Sequence, residues 1–567
     1  MKHTTIQRVF FALLMLFFSF LLCAQKNVLL LMADDFNRWT GTNTYYPYPV
    51  SQTLNIDSLA AQGVYFSDAN SSFPVCNPSR NALWSGFRPT TSGITTNQGG
   101  FIRDQDGFEN IVTMHQYFMQ NGYYTIGAGK LYHATQMGAY DTDSANWDKI
   151  IDLPTGSPGG TDISWRSSIT GNDVPSWSGG TFDINTAEDT KLAQTIAQEI
   201  TNYNQGDKPF FIACGFFRPH LPWNSHIQFW NRYDTANIKP LLGYKEEDLS
   251  DIQGARPSNY HSDIISEGKW KEAMWAYMAA CSYADYNIGI VLDALNTSPF
   301  KDSTIVVICG DHGWHLGEKE QWGKGTEYDQ ANRTMLIISD PNAEGNGSTC
   351  PKPVSLQDIY PTLIDITGLP NKWDVEGNSL KQLLNNPNID NWDKPILMYA
   401  KSSPIIKTNE WRLVKGGEAL GTARPQLYNI INDPYDFNNL YKLPAYADTI
   451  IMLESMIDSI IQKGLNLKDS IVNGITKTSN KTVKPKITFL NNTIVTDYTL
   501  YLNLLTTDVI ADIAIFNLNG KLMLSKSVPG EQNVNLTLPN YLRSGLYFIR
   551  INSNNKLLGI EKFIIEK

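Results

Sequence analysis

Cysteine is scarce in this chain, with six residues among 567. No two of them stand in the CxxC spacing of a zinc site, and they are spread too widely to indicate a disulfide framework. Cys214 and Cys309 lie inside apolar runs, which predicts buried side chains that act as small hydrophobic residues. Cys76 has no such explanation, because it lies in the stretch PVCNPSRNALWSG with no second cysteine within reach.

An excess of basic residues is also missing. The chain has 46 Lys and Arg against 56 Asp and Glu, a formal net charge of -10. Nucleic-acid-binding surfaces depend on clustered positive charge, so this composition argues against a nucleic-acid partner. An anionic substrate would therefore be met by a few local cations. With 42% hydrophobic residues and no low-complexity tract, the chain is expected to be globular, with two or three domains.

Long apolar segments are absent except near the N-terminus. The run VFFALLMLFFSFLLCA follows Lys2 and Arg8 and is shorter than the roughly 20 residues that a spanning helix needs. Its order of basic, apolar and small residues predicts a signal peptide over residues 1–24. Cys23 leaves a lipoprotein as the alternative, although Leu22 is larger than the residue that usually precedes a lipidated cysteine. We expect export and no membrane span.

The chain does have a series of short, continuous apolar runs. We expect them to be strands covered on both faces, and they occupy residues 27–33, 123–129, 209–216, 303–310 and 334–339. Helical patterns lie between them. Strands that alternate with helices predict an α/β fold with a mostly parallel sheet flanked by helices. Ligands of such sheets bind beyond the carboxyl ends of the strands.

Polar side chains follow four of these runs at that point. In chain order the pairs are Asp34 and Asp35, Lys130 and His133, Arg218 and His220, and Asp311 and His312. Each pair alone has an ordinary structural explanation, such as a helix cap or a solvated charge. Their occurrence at matching positions predicts one functional site. The three carboxylates indicate a hard cation, Ca²⁺ or Mg²⁺, whereas His312 is either an unusual ligand or a hydrogen-bond partner of the nucleophile or substrate.

The stretch around Cys76 accounts for the isolated cysteine. CNPSRNALWSG matches the sulfatase signature CxPSRxxLx[ST]G at every fixed position. The segments NVLLLMADD, GAGKLYH, FFRPHLPW and GDHGWHLGEKEQWGKG further resemble iduronate-2-sulfatases and related polysaccharide sulfatases. The resemblance implies an alkaline-phosphatase-like fold and conversion of Cys76 to formylglycine (3-oxoalanine) by a dedicated maturation enzyme. A hydrated aldehyde carries two hydroxyls on one carbon, so one can attack sulfur and the other can later expel sulfate.

The same resemblance implies a role for each candidate residue. One group would bind a single Ca²⁺, in preference to Mg²⁺: Asp34, Asp35, modified Cys76, Asp311 and His312. Lys130 and Lys324 would neutralise the charge of the sulfate. Arg80 would orient the nucleophile. His220 would protonate the leaving alcohol, and His133 would take the proton that triggers sulfate release.

Two histidines depart from the broader family pattern. Many sulfatases have Asn where this chain has His312, so its place in the metal site follows from one subgroup only. His315 stands where close relatives tend to have a small residue. It is expected either to contact the substrate or to lie at the surface.

The resemblance also divides the chain. It implies a catalytic domain over 25–385 and a smaller α+β subdomain over 386–470, while residues 471–487 have the polar composition of a linker. Residues 488–567 contain FNLNGK and SGLYFIRI and resemble the C-terminal sorting domain of type IX secretion in Bacteroidetes. We expect a small all-β sandwich there, with a carbohydrate-binding module as the alternative.

The predicted activity is hydrolysis of sulfate esters in a sulfated polysaccharide or its oligosaccharides. The substrate would be an ulvan-like algal glycan or a glycan with iduronate- or uronate-2-sulfate. One alternative is a formylglycine-dependent phosphodiesterase or phosphonate hydrolase of the same superfamily, and another is a non-catalytic surface glycan-binding protein. The sorting domain implies passage through the periplasm and the type IX secretion machinery to the surface or medium of a Gram-negative, Bacteroidetes-like cell.

Overall fold

A computed structural model describes most of the chain. The described residues are 25–42, 51–133, 147–153, 163–168, 176–206, 208–239, 244–372, 374–416, 424–472, 487–489, 494–495, 499–504, 510–517, 522–529, 533–539, 542–553 and 556–565. The predicted signal peptide and most of the predicted linker lie outside them. Within these ranges, no helix combines the length and apolar character required to cross a membrane.

An eight-stranded mixed sheet forms the centre of the catalytic region. Its strands, from one edge to the other, are Ser348–Cys350, Val64–Phe66, Leu336–Ser339, Thr304–Gly310, Asn27–Ala33, Phe210–Phe216, Tyr124–Gly129 and Lys149–Ile151. The pairings are parallel except for the two made by Leu336–Ser339. All five predicted strands are confirmed, and so is the mostly parallel sheet.

Both faces of this sheet are covered, as the continuous apolar runs predict. Successive residues of a strand point to opposite faces, so Leu29 and Leu31 pack on one side while Val28 and Leu30 pack on the other. The first side carries the helices Glu188–Thr201 and Trp270–Thr297, and the second carries Met114–Gln120 and Ile359–Thr367. The predicted α/β class with flanking helices is therefore confirmed.

Shorter elements surround this layered core. The remaining helices of the catalytic region are Leu54–Ala60, Cys76–Ser85, Pro89–Ser92, Ile227–Trp230, Asn259–Ser266, Asp329–Asn332 and Lys381–Asn385. Three small sheets consist of His315–Leu316 with Trp322–Gly323, of Arg333–Thr334 with Ala69–Asn70 and Val354–Ser355, and of Ile163–Ser168 with Ser176–Gly180 and Trp223–His226.

A four-stranded antiparallel sheet follows, as expected for a smaller subdomain. Its strands are Ile396–Ala400, Ser403–Lys407, Trp411–Val414 and Gln426–Asn429. The helix Ala447–Val472 packs Leu453 and Ile457 against Trp411 and Leu413 of this sheet. Trp411 and Tyr428 are thus buried in the subdomain and belong to its packing.

The described elements after residue 486 are all strands. One sheet contains Ile487–Phe489, Thr499–Leu504 and Asn533–Thr537. The other contains Ile494–Val495, Lys556–Ile565, Gly545–Ser553, Ile510–Asn517 and Leu522–Pro529. An all-β C-terminal segment in two sheets agrees with the predicted class.

Candidate active site

The first strand of the central sheet ends at a pair of buried aspartates. Asp34 continues the sheet, because its amide donates to the Phe216 carbonyl at 3.2 Å. Asp35 adopts a left-handed backbone with a φ of 63° and turns out of the strand. Its amide donates to Asp311 Oδ1 at 2.9 Å. Because Asp311 follows the neighbouring strand Thr304–Gly310, three carboxylates meet at the carboxyl edge of the sheet.

Arg80 ties this edge to the helix Cys76–Ser85. Its Nε donates to Asp311 Oδ2 at 2.9 Å, and its Nη2 donates to Asp34 Oδ1 at 2.9 Å. Its Nη1 donates to the Lys130 carbonyl. The guanidinium has no exposure and therefore cross-links the ends of three strands while it holds the first turn of the helix beside them.

Cys76 is the first residue of this helix and lies at the centre of the cluster. Like the other four cysteines of the described residues, it is free and buried. Its Sγ lies 3.0 Å from Lys324 Nζ, 3.4 Å from His312 Nε2 and 3.5 Å from Asp34 Oδ1. Burial, and then the charge of Asp34, raise the pKa of the thiol. This environment therefore favours the neutral thiol over the thiolate.

Two lysines neutralise the paired aspartates. Lys130 Nζ bonds to Asp34 Oδ2, and Lys324 Nζ lies 2.5 Å from Asp35 Oδ1. Burial alone would raise the pKa of Asp34, but Lys130 and the other nearby cations hold this pKa well below its ordinary value. For Asp35 burial outweighs the attraction of Lys324, and the pKa is raised. The two carboxylates thus differ in electrostatic environment although they are adjacent in sequence.

His312 and His220 each approach a different carboxylate oxygen of Asp35. His312 Nε2 lies 3.3 Å from Asp35 Oδ1 and 3.7 Å from Asp311 Oδ2, while its Nδ1 bonds to the Gly313 carbonyl at 2.9 Å. His220 Nε2 lies 3.7 Å from Asp35 Oδ2, and its Nδ1 bonds to the Leu221 carbonyl at 2.6 Å. A carbonyl only accepts, so each Nδ1 carries a proton and each Nε2 faces the carboxylates.

His220 is the more accessible of the two, with 26% of its side chain exposed. Burial lowers its pKa to about 3, against the attraction of Asp34. Arg218 supports the loop that carries it, since Arg218 Nη1 donates to the His220 carbonyl at 3.0 Å. Arg218 is itself buried.

His133 is half-buried at the end of the Lys130 segment. Its Nδ1 has no hydrogen-bond partner among the residues that the structure describes, and residues 134–146, which follow it, are not among them. Burial, and then the charge of Lys130, lower its pKa to about 4. The structure thus places His133 near Lys130, Arg80 and Lys324, whose positive charges all lower its pKa.

His315 is completely buried, so the expectation that it lies at the surface is wrong. Its Nδ1 bonds to the Glu318 carbonyl at 3.0 Å, and its Nε2 bonds to Thr326 Oγ1 at 2.8 Å. Both ring nitrogens are therefore engaged by the protein. Direct contact with the substrate stays a prediction, and this geometry gives it no support.

Sequence reasoning missed Tyr277, which positions Asp35 from the long helix Trp270–Thr297. Its hydroxyl donates to the Asp35 carbonyl at 2.9 Å and accepts from the Asn37 amide at 2.9 Å. A tyrosine inside an amphipathic helix carries no signal that separates this role from core packing, because the contact is made across 242 positions of the chain.

The cluster has a composition that suits a metal ion. Ligand atoms of Asp34, Asp35, Cys76 and His220 all lie within 4.8 Å of one another, and so do those of Cys76, Asp311 and His312. Asp35 Oδ2 is buried without a hydrogen-bond partner in the described part of the chain. A buried carboxylate oxygen that lacks a donor is a natural ligand for a hard cation. The residues present therefore fit a divalent ion bound mainly by carboxylates.

Comparison with protein families gives three matches along the chain. The sulfatase family matches residues 26–369, and the C-terminal region of N-sulphoglucosamine sulphohydrolase matches residues 310–463. A secretion system C-terminal sorting domain matches residues 496–566. The first match spans more than half of the chain and contains every residue of the site.

Individual proteins show the same relationship. A sulfatase of Formosa agariphila is 31% identical over 435 residues, which cover 73% of this chain and 83% of that protein. Iduronate 2-sulfatase of the mouse is 27% identical over 357 residues, covering 59% of this chain and 62% of that enzyme. The solved structure of a phosphonate monoester hydrolase of Agrobacterium radiobacter superposes with a TM-score of 0.62 at 19% identity, over 78% of this chain and 96% of that one.

The last likeness is one of fold alone, because the identity is low. The other two matches go further, since the family match spans residues 26–369 with the site residues and the Formosa relative is 31% identical over 73% of this chain. This chain belongs to the sulfatase family of sulfuric ester hydrolases and carries a secretion sorting domain at its C-terminal end.

Proposed function

We propose that this enzyme releases sulfate from a sulfated polysaccharide or its oligosaccharides, with formylglycine made from Cys76 as the nucleophile. The observation that carries the proposal is the position of Cys76 Sγ, 3.0 Å from Lys324 Nζ and 3.5 Å from Asp34 Oδ1. A nucleophile at this point has a cation beside it for the anionic ester and carboxylates for a metal ion. When formed, the hydrated aldehyde supplies one hydroxyl for attack on sulfur and a second for the expulsion of sulfate.

The proposed metal is Ca²⁺, in preference to Mg²⁺, because several carboxylate oxygens converge here and Ca²⁺ takes more oxygen ligands from a protein than Mg²⁺ does. The residues that would hold it are Asp34, Asp35, Asp311 and His312, together with the modified residue 76. Such an ion supplies Lewis-acid polarisation of the sulfate and a lower pKa for the attacking hydroxyl. Asp35 Oδ2 supports this assignment, because it is buried and accepts no hydrogen bond from the described residues.

The chain's own cations would bind the sulfate. Lys324 is the better placed of the two lysines, since it contacts Cys76 Sγ and 18% of its side chain is exposed. Lys130 is nearly buried against Asp34, where it sets the charge of the cluster. Arg80 has all three of its contacts within the protein, so its role is to hold the nucleophile helix in place.

Two histidines would handle protons. His220 lies at the exposed side of the cluster with Nε2 toward Asp35, where it can give a proton to the leaving alcohol. A bound sulfate ester would raise the proton affinity of this imidazole, because a neighbouring negative charge favours the cationic form. His133 would accept the proton from the second hydroxyl when sulfate leaves, because its Nδ1 has no hydrogen-bond partner among the described residues.

A glycan substrate is supported by the likeness to iduronate 2-sulfatase and by the sorting domain. An enzyme exported by the type IX machinery meets polymers outside the cell, and we propose an ulvan-like glycan or one with iduronate- or uronate-2-sulfate. We further propose a signal peptide over 1–24, a catalytic domain over 25–385, a subdomain over 386–470 and a sorting domain over 488–567. A formylglycine-generating enzyme would act on the chain before it folds, because Cys76 is completely buried afterwards.

The decisive experiment joins mass spectrometry to turnover. The peptide that contains Cys76 is expected to carry the mass of formylglycine in material from a host with the maturation enzyme, and free sulfate is expected from one or more members of a panel of sulfated oligosaccharides. Cys76→Ala should abolish turnover, whereas Cys350→Ala, at a buried cysteine of the sheet edge, should not.

The alternatives are separate outcomes of the same experiment. Faster turnover of an aryl phosphodiester than of the matched aryl sulfate would identify a phosphodiesterase or phosphonate hydrolase. An unmodified Cys76 with binding of glycans and no turnover would identify a non-catalytic binding protein.

A further inference from the structure

Lys324 lies between two glycines with left-handed backbones. Gly323 has a φ of 91° and Gly325 a φ of 80°, a region that residues with a Cβ rarely adopt. Such a segment can take many backbone conformations, so its local sequence does not determine where the Lys324 side chain lies. The position of Nζ beside Cys76 and Asp35 therefore depends on contacts made elsewhere in residues 315–326, the Lys324 segment.

One side of the segment is held by backbone bonds. The short strands His315–Leu316 and Trp322–Gly323 pair with His315 opposite Gly323. On the far side of the lysine, the Gly325 amide donates to the Pro74 carbonyl at 2.9 Å, close to the nucleophile. These bonds fix the approach to Lys324 and one point after it.

The tip of the segment is fixed by side chains. Trp270 Nε1 donates to the Leu316 carbonyl at 2.7 Å, and Lys319 Nζ lies 3.1 Å from Asp248 Oδ1. Lys319 is 1% exposed and has a positive φ of 53°. A buried ammonium in a strained backbone persists only where surrounding contacts hold it.

His315 closes the remaining gap, between the start of the segment and its end. Its Nδ1 must donate to the Glu318 carbonyl, because a carbonyl has no proton to give. In the neutral ring Nε2 is then an acceptor, and the Thr326 hydroxyl donates to it at 2.8 Å. Thr326 has one stiff side-chain torsion and is 7% exposed, so the bond fixes the backbone two residues past Lys324. Burial lowers the pKa of His315 to about 3, which agrees with a neutral ring.

We infer that His315 is a positioning residue for the reaction, and that the His315–Thr326 bond holds the glycine-flanked Lys324 at the nucleophile. The inference rests on the proposed role of Lys324 in sulfate binding. It assigns His315 neither of the functions expected from the sequence, since the ring touches neither the solvent nor the reacting groups.

The test is a double-mutant cycle on the full-length, formylglycine-bearing enzyme. Thr326→Val removes the hydroxyl at nearly constant volume, Thr326→Ser restores it, and both are made in the parent and in Lys324→Met. With 4-nitrophenyl sulfate as the probe, Thr326→Val is expected to lower kcat/KM roughly tenfold in the parent, because small misplacement of a catalytic group is costly. Thr326→Ser should stay within about twofold of the parent, and Thr326→Val should cost less than about twofold in Lys324→Met.

A second readout keeps the cycle informative when turnover of Lys324→Met is too slow. The affinity for inorganic sulfate, measured by calorimetry on the same proteins, should show the same non-additive pattern. Thr362→Val is the matched control, because Thr362 is a buried threonine bonded to the Asp358 carbonyl and contacts no residue of the Lys324 segment in the bonds described. It should lower the melting temperature and leave kcat/KM within about twofold.

Equal losses for Thr326→Val in both backgrounds would overturn the inference, and so would a lower melting temperature with unchanged kcat/KM and sulfate affinity. An unimpaired Lys324→Met would instead remove Lys324 from the proposed mechanism. The two failures are therefore distinguishable.

Discussion

Arg80 Nε donates to Asp311 Oδ2 at 2.9 Å, and neither side chain is exposed to solvent. The two residues are 231 positions apart, one on the nucleophile helix and the other after the strand Thr304–Gly310. Their pairing holds the two parts of the site in a fixed relation. Burial of the pair removes competing water, so loss of one partner leaves an uncompensated charge.

Replacement of Arg80 is expected to destabilise the protein as well as to inactivate it. Arg80→Met should lower the free energy of unfolding by about 3 to 5 kcal/mol, because it strips charge partners from buried Asp34 and Asp311. Denaturant unfolding measures the change. Lys149→Met, which breaks the partly exposed pair with Glu199, is the control and should cost less than about 1 kcal/mol. Equal costs for the two variants would contradict this account of the site.

His220→Ala should discriminate between leaving groups. Sugar alcohols need a proton as they leave, whereas aryl oxides with low pKa do not. We expect kcat/KM to fall by about 100-fold or more on sugar sulfates and by less than about tenfold on aryl sulfates. His226→Ala is the matched control, since that ring accepts a backbone bond from Gln228, packs against Phe182 and is bonded to none of the site residues described. Equal losses on both substrates would remove His220 from the acid role.

Removal of the divalent ion should affect both activity and stability. A chelator is expected to abolish sulfate release and to lower the melting temperature, because a ligand that binds only the folded state stabilises it. Ca²⁺ should restore both more effectively than Mg²⁺. In Asp311→Asn the melting temperature should respond less to Ca²⁺, while Asp365→Asn, at a more exposed ion pair, should respond like the parent. Activity that survives exhaustive chelation would refute the metal assignment.

We expect the ionisation of Asp285 to make the free energy of unfolding depend on pH. This carboxylate caps the helix Leu54–Ala60 from the long helix, accepting from the Asn55 amide at 3.0 Å and the Ile56 amide at 2.8 Å. Burial raises its pKa from 3.8 to about 6. A carboxyl whose folded-state pKa is raised contributes stability that is present below its unfolded pKa and is lost as the pH rises through the folded one.

The comparison is between the parent and Asp285→Asn, which cannot titrate. As the pH rises from about 4 to about 6, the free energy of unfolding of the parent should fall relative to that of the variant, by up to about 3 kcal/mol. Denaturant titrations at several pH values measure this difference. A difference that stays constant across the window would show that the Asp285 pKa is not raised.

The strand ends were predictable because two simple rules act together. A continuous apolar run must be buried on both faces, and the chain leaves such a strand at the edge where neighbouring parallel strands also end. Those two rules are sufficient to predict Asp34, Asp35, Lys130, His220 and Asp311 at one edge of the sheet. The strand Leu336–Ser339 is antiparallel to its neighbours, so its carboxyl end lies at the opposite edge of the sheet. No site residue follows it, as the same rules predict.

The contacts that orient these groups were not predictable. Tyr277 bonds to the Asp35 carbonyl across 242 positions, and the His315 ring bonds within a hairpin whose register the sequence does not reveal. His315 shows the limit most clearly, since its residue type allowed surface exposure or substrate contact and the fold gave it neither.

The sequence by itself determined the layered α/β core, the signature around Cys76 and the set of residues that end the strands, because apolar periodicity and a dense local motif are properties of neighbouring residues. Only the tertiary structure decided that Arg80 bonds to three strand ends, that Lys324 reaches Cys76 across 248 positions and that His315 is completely buried. Those relations depend on distances between residues far apart in the chain, which arise only when helices and sheet pack into one solid core.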